Sequence, residues 1–328
     1  MTTHTARIPF PPLSTPVVTD AGLETWLVFE RGIDLPAFAA YPLAATESGR
    51  VLLTEYYEHY LEIARAASAA VVLEAPTWRA NPDWAATLGH DRATLAQLID
   101  ASVDVVHRLR PRWTSDQPFL VGAAIGPRGD GYLIDVAMDA EEAAEYHSFQ
   151  IGCLADTPVD VVTAMTICYA DEAIGISRAS ADADLPVVIS FTLETDGHLP
   201  SGMSLGEAIE TTDAATGSYP THYMINCAHP THFDHALDGT APWATRVGGL
   251  RANASALSHA ELDEMEELDA GDPDDLAQRY VELRSQLPAL RVIGGCCGTD
   301  HRHVAAITTA FIADGGRVPD RPPSRRGS

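Results

Sequence analysis

Short β-rich runs bounded by turn residues recur along this chain, and stretches with apolar residues at helical spacing lie between them. The runs are Val17–Thr19, Ala69–Glu74, Phe119–Ile125, Val159–Met165, Val187–Leu193, Tyr223–Cys227, Arg246–Arg251 and Arg291–Gly295. Helical spacing covers Val51–Ala67, Ala93–Leu109, Ala140–Leu154 and Asp274–Leu287. Acidic residues open several of these segments, as at Asp139-Ala140-Glu141-Glu142, where they suit the positive end of a helix. Eight strands alternating with helices predict an α/β chain folded as a single-domain (β/α)8 TIM barrel. A doubly wound open sheet is the alternative, but no strand is followed by a G-x-G-x-x-G turn.

No change of composition divides the chain. The acidic run Glu261–Asp275 is the one candidate linker, and it reads better as a loop and helix start before the eighth strand. The expected organisation is an N-terminal tail (1–14), the barrel (15–315) and a C-terminal tail (316–328).

Composition then narrows the chemistry. At 328 residues and 46% hydrophobic the chain can bury a large core. All 21 basic residues are Arg, which excludes Schiff-base, P-loop and general-base lysines. A net charge of −25 argues against nucleic-acid and anionic-membrane partners, since phosphate contacts need clustered cations. No apolar stretch is long enough to span a bilayer, and Met1–Leu13 has no apolar core of a signal peptide. Five cysteines, an odd number with two adjacent, do not form a secreted disulfide framework, so a cytoplasmic setting with reduced thiols is expected.

Catalytic groups of such barrels gather at the C-terminal ends of the strands. Cys227 ends the sixth run, and Cys296 and Cys297 end the eighth inside Gly294-Gly295-Cys296-Cys297-Gly298-Thr299. Neighbouring residues of a regular strand point to opposite faces, but flanking glycines let the backbone bend so both sulfurs can turn to one point. Three thiolates around an open fourth position would suit a catalytic zinc ion (Zn2+). A vicinal disulfide, or cysteines packed as small hydrophobes, is the other reading. Cys153 and Cys168 fall in that packed class. A second candidate is His229-Pro230-Thr231-His232-Phe233-Asp234-His235, which could build a hydrolytic metal centre. Its first and last histidines would sit about 240° apart on a helix, so they share no face.

The double-cysteine segment resembles the closing motif of the homocysteine S-methyltransferase family. Ile225-Asn226-Cys227 is similar to that family's strand-six segment, and Asp20-Ala21-Gly22-Leu23-Glu24-Thr25 to its opening Asp-Gly-Gly motif. Ser190-Phe191-Thr192-Leu193 with Gly197 and Gly202 resembles strand five, and Arg251-Ala252-Asn253-Ala254 strand seven. The matches run in family order from residue 20 to 303.

The resemblance implies a (β/α)8 barrel, methyl transfer to a small-molecule thiol, typically homocysteine giving methionine, and zinc on Cys227, Cys296 and Cys297. It makes Asp20 the catalytic carboxylate near the acceptor and Asn226 a support of the metal loop. Without a long C-terminal extension or cobalamin and folate modules, the chain looks most like the branch using S-methylmethionine or S-adenosylmethionine. Such an onium donor would be stabilised by aromatic faces, for which Trp26, Tyr41, Trp78 and Tyr132 are candidates. Glu24, Trp26, Thr77, Trp78, Met165 and Asn226 are the expected substrate contacts. Oxidation should close a Cys296–Cys297 or a Cys227-linked disulfide.

Two departures from the family pattern stand out. Ala21 replaces the first Gly of the opening motif, and Met165 stands where strand four usually ends in Glu. That Glu is expected to hold the amino group of homocysteine. Either Asp20, Glu24 or Glu74 supplies the missing carboxylate, or the acceptor lacks an amine, or the barrel binds zinc and a thiol without turnover.

Overall fold

A computed structural model describes residues 7–12, 15–263, 265 and 267–315; the rest of both expected tails lies outside the described residues. Eight parallel strands close into a barrel in chain order. They are β1 (Val17–Thr19), β2 (Ala70–Ala75), β3 (Phe119–Ile125), β4 (Val161–Ile167), β5 (Val187–Phe191), β6 (Tyr223–Asn226), β7 (Val247–Ala252) and β8 (Val292–Gly295). Long helices follow seven strands: α1 (Glu47–Ala66), α2 (Arg92–His107), α3 (Ala140–Ala155), α4 (Ala170–Asp182), α5 (Leu205–Thr216), α6 (Pro273–Leu283) and α7 (His301–Ala313). The exception comes after β6, where only the turn Pro230–Phe233 is α-helical. Among the described residues no helix is long and apolar enough to cross a membrane.

Local signals set most boundaries. Asp139 and Glu142 close a reciprocal cap on α3, and Asp272 caps α6 with Pro273 in its first turn. Within the run Glu261–Asp275, the described residues form the end of a short helix (His259–Asp263), then loop, then the start of α6 at Pro273. β4 differs from expectation at both ends, running Val161–Ile167 rather than Val159–Met165. Below it, the Asp160 carboxylate accepts from Ile8 N and Val121 N at 2.8 Å, which turns the chain there. Above it, the pairing with β5 shifts between Ala164 and Ile167, where Thr166 takes φ 64°. That is a β-bulge, and it carries the strand past Met165.

The barrel interior has two layers of opposite character. Val17, Ala70, Val72, Leu120, Val161, Val188, Met224 and Val292 form one apolar cluster at its floor. Two residues further along the same strands, the inward positions become Thr19, Glu74, Gly122, Thr163, Ser190, Asn226 and Gly294. Residues 7–12, expected as tail, instead close the floor. Arg7 donates to Val159 O (3.2 Å) and Asp184 O (3.1 Å), Ile8 and Phe10 pack on the apolar cluster, and Phe10 lies against His222 with ring centroids 4.8 Å apart.

Candidate active site

The mouth of the barrel holds a cavity of about 430 Å³, a size suited to a small-molecule site. Its polar end is built from the ends of β6 and β8. Cys227 follows β6 at φ 53°, and its N–H donates to Arg251 O at 3.1 Å. Cys296 and Cys297 lie in a turn beyond β8 that Thr299 closes, its hydroxyl donating to Cys296 O at 2.6 Å. Gly22 is required beside them, because a Cβ there would come 2.6 Å from Cys296 O. The turn takes both cysteines out of strand alternation, so their side chains converge with Cys227.

The ligand atoms of Cys227, Cys296 and Cys297 all lie within 4.8 Å of one another. Cys227 and Cys296 are paired as a disulfide with Cα atoms 5.4 Å apart. Cys227 Sγ and Cys297 Sγ are 3.9 Å apart. Two sulfurs on a tetrahedral zinc with bonds of about 2.3 Å are separated by about 3.8 Å. The donor set and this spacing therefore fit a thiolate-bound metal once the disulfide is reduced. Tyr132 OH lies 3.9 Å from Cys297 Sγ. Burial pushes the Cys297 thiol up to about 11, so without a cation it stays protonated.

Asn226 ties this site to the bulge of β4. Its Oδ1 accepts from Thr166 N (2.9 Å) and Ser190 Oγ (2.7 Å). Its Nδ2 donates to Thr166 Oγ1 (2.9 Å) and faces Cys296 Sγ at 3.8 Å. A β-branched residue at positive φ is strained, and Asn226 supplies the bonds that hold it.

Four charged groups surround the cysteines. Asp20 is buried and pairs with Arg251 Nη2 at 2.8 Å. Burial raises its pKa to about 6, opposed by Arg251. Arg251 also donates to Gly295 O (2.9 Å) and Ala21 O (3.1 Å), joining the ends of β1, β7 and β8. Glu74 lies deeper and accepts from Thr163 Oγ1 at 2.7 Å. It occupies space that only Gly122 leaves, since a Cβ there would meet its Oε2 at 2.5 Å. Glu24 lines the cavity, and no cation lies at ion-pair distance from it among the described residues. Burial raises both Glu24 and Glu74 to about 7.

Met165 lines the cavity, and its carbonyl accepts from Trp78 Nε1 at 3.3 Å. Trp78 and Tyr132 line it as well. Three other expected contacts are placed elsewhere. Trp26 packs in the core against Tyr56 at 5.2 Å. The segment after Leu23 is helical, so residues two apart point about 200° from each other, and Glu24 takes the cavity side. Thr77 is fully buried below the lining, donating to Ala124 O at 2.7 Å. Tyr41 is buried, with its hydroxyl bonded to His90.

The histidine segment builds no metal site. His229 Nδ1 bonds Thr231 Oγ1 at 2.8 Å and His232 Nε2 bonds Ala256 O at 2.8 Å. Among the described residues the three cysteines are the only group placed to hold a metal. Cys153 and Cys168 lie outside it, Cys168 facing Gly131 O at 3.2 Å. The sequence reading missed Thr166, Arg79 and the role of Arg251. An arginine inside the strand Val247-Gly248-Gly249-Leu250-Arg251 was the signal for the last.

A family model described as homocysteine S-methyltransferase matches residues 17–311. A homocysteine S-methyltransferase of Escherichia coli (strain K12) is 24% identical over 249 residues, 70% of this chain and 76% of that protein. The metallated crystal form of the homocysteine methyltransferase MmuM from Escherichia coli has a TM-score of 0.70 at 21% identity, covering 90% of this chain and 96% of that one. Its oxidized form has a TM-score of 0.70 at 22% identity, covering 90% and 95%. These solved structures share the barrel.

Proposed function

Since the chain belongs to the homocysteine S-methyltransferase family and is an S-methyltransferase, we propose that it moves a methyl group from a sulfonium donor to homocysteine, using zinc held by Cys227, Cys296 and Cys297. The convergence of three sulfurs at the end of a cavity lined by carboxylates is the observation that carries this reading. Bound zinc would supply the positive charge that keeps an acceptor thiol, with a pKa of about 8.5 when free, as its thiolate at neutral pH.

The remaining steps belong to the chain. In the reduced chain Cys227 and Cys296 offer both sulfurs as ligands beside Cys297. Asn226 fixes the two strand ends that carry Cys227 and Thr166, so the ligand sulfurs keep one spacing. Asp20, fixed by Arg251, is the catalytic carboxylate beside the acceptor. Glu24 replaces the carboxylate that Met165 removes and takes the acceptor's ammonium group, because Asp20 is already paired and Glu74 is bonded to Thr163 below. The faces of Trp78 and Tyr132 receive the onium methyl. In the transfer, the thiolate electron pair forms the new S–C bond as the donor's C–S bond breaks, leaving a neutral thioether. Residues 15–315 form the catalytic unit, and the need for free thiols points to a cytoplasmic setting.

A screen of sulfonium donors against thiols, with zinc present and methionine as readout, tests the reaction. Homocysteine and 4-mercaptobutyrate, which lacks the amine, test the acceptor. Homocysteine should be used at least about tenfold better, the scale of one charge-assisted bond, and Met165→Glu should add nothing. Equal use of both thiols, with a homocysteine preference only in Met165→Glu, would refute Glu24 as the replacement.

A further inference from the structure

Arg79 is a cation at the cavity wall that the chemistry above leaves unused. It follows β2, is 8% exposed and lines the cavity. Its guanidinium carbon lies 4.2 Å from the ring centroids of both Trp78 and Trp84, so the group is held between two indoles. Nη1 donates to Gly129 O at 2.6 Å, while Nε is buried and has no partner among the described residues. No carboxylate lies within ion-pair distance of it among those residues. Arg251, the other cation of the lining, is already paired with Asp20.

A guanidinium taken out of water without an anion is costly, and its planar fork matches a carboxylate when one is supplied. Stacking between indoles fixes the plane of that fork while leaving its edge donors available. Through Gly129, Arg79 also touches the loop that carries Tyr132 to Cys297. Glu24, without a cation of its own, lines the same cavity.

We propose that Arg79 is the specificity-determining residue that binds the α-carboxylate of the amino-acid acceptor, opposite Glu24 at its ammonium group. This rests on the acceptor being homocysteine. The site then reads a zwitterion by one group of each sign, and a thiol lacking either charge is a poor acceptor.

The test uses the reduced, zinc-loaded full chain and Arg79→Met, which retains an apolar stem between the indoles. Turnover and calorimetric binding are measured with homocysteine and with 3-aminopropane-1-thiol, which keeps thiol and amine but lacks the carboxylate. Native protein should favour homocysteine by about ten- to a hundredfold, the range for a bond to a charged group. Arg79→Met should remove that preference through KM and Kd, with kcat and 3-aminopropane-1-thiol little changed. Equal losses for both thiols would overturn the proposal, leaving Arg79 as a support of the Gly129 loop. A rise in KM for an S-methylmethionine donor alone would also overturn it, since the carboxylate held would then be the donor's. If no thiol is methylated yet homocysteine binding still depends on Arg79, the methyl-transfer reading fails and the carboxylate site stands.

Discussion

The two ends of the barrel interior are built by the same eight strands and differ in almost every physical respect. At the floor, valines, Ala70, Leu120 and Met224 pack together with Ile8 and Phe10. At the mouth, the same strands present Glu74, Thr163, Asn226 and Arg251, with Gly122 and Gly294 making room. Among the described residues, buried polar atoms there lack partners, including Glu74 Oε2, Arg251 Nη1 and Asn253 Oδ1, as do both ring nitrogens of His222 at the floor. Thr166 and Cys227 hold positive φ at the mouth, and no floor residue does. The floor supplies the stability against which the mouth holds strain and unsatisfied charge.

That division can be broken at either end. The largest effect is expected from the Cys296→Ser, Cys297→Ser double variant. Metal analysis should show bound zinc falling from about one per chain towards zero. Methionine formation should fall about a thousandfold or more, the equivalent of roughly 4 kcal/mol. Thermal unfolding of the metal-free chain should move little, and full zinc retention would remove the cysteine site.

At the floor, Leu120→Ala should destabilise by about 2–5 kcal/mol in denaturant melts. Its kcat/KM, measured where the variant is folded, should match the native value. A loss of turnover would mean that the two ends are coupled.

Asn226→Ala lies between these cases. It leaves Thr166 N and Ser190 Oγ without their buried acceptor, which should cost about 1–3 kcal/mol of stability. It should also weaken zinc binding, because Thr166 and Cys227 lose their common tie. Destabilisation with unchanged metal affinity would reduce Asn226 to a core residue.

The smallest effects concern pH, and the two ends should respond in opposite directions. At the floor, burial, with Arg246 adding to it, lowers His222 to about 3, from an ordinary value of about 6.5. Its unfolded form therefore binds a proton first, and stability falls as pH drops from about 6.5 towards 3. At the mouth, burial raises Glu74 to about 7, so its contribution is present in acid and is lost as pH rises through 7. His222→Leu should reduce the acid-side loss in Tm, and Glu74→Gln the loss between about pH 4.5 and 7. Parallel shifts in both variants would show that the two groups do not titrate as their burial implies.

Much of this was legible in the sequence. Turn-bounded runs located all eight strands, and Gly294-Gly295-Cys296-Cys297 with Cys227 marked the mouth. The edges of β4 were not legible, because Asp160 turns the chain through bonds to Ile8 and Val121. Its upper end depends on a bulge held by Asn226, 60 residues away. Trp26 looked like a mouth aromatic by position, but the helical turn after Leu23 sends it to the core and Glu24 to the cavity.

What the sequence determined by itself is periodic or local: strand and helix alternation, capped helix starts, the family motif and the three cysteines at two strand ends. These depend on residue types at short spacings, which backbone geometry reads directly. Only the tertiary structure decided which charges are neutralised. Asp20 and Arg251 are 231 positions apart, yet barrel closure brings them to 2.8 Å, while Arg79 and Glu24 line the cavity without partners at ion-pair distance among the described residues. Pairing of that kind depends on distances through space, and those exist only once the first and last strands have met.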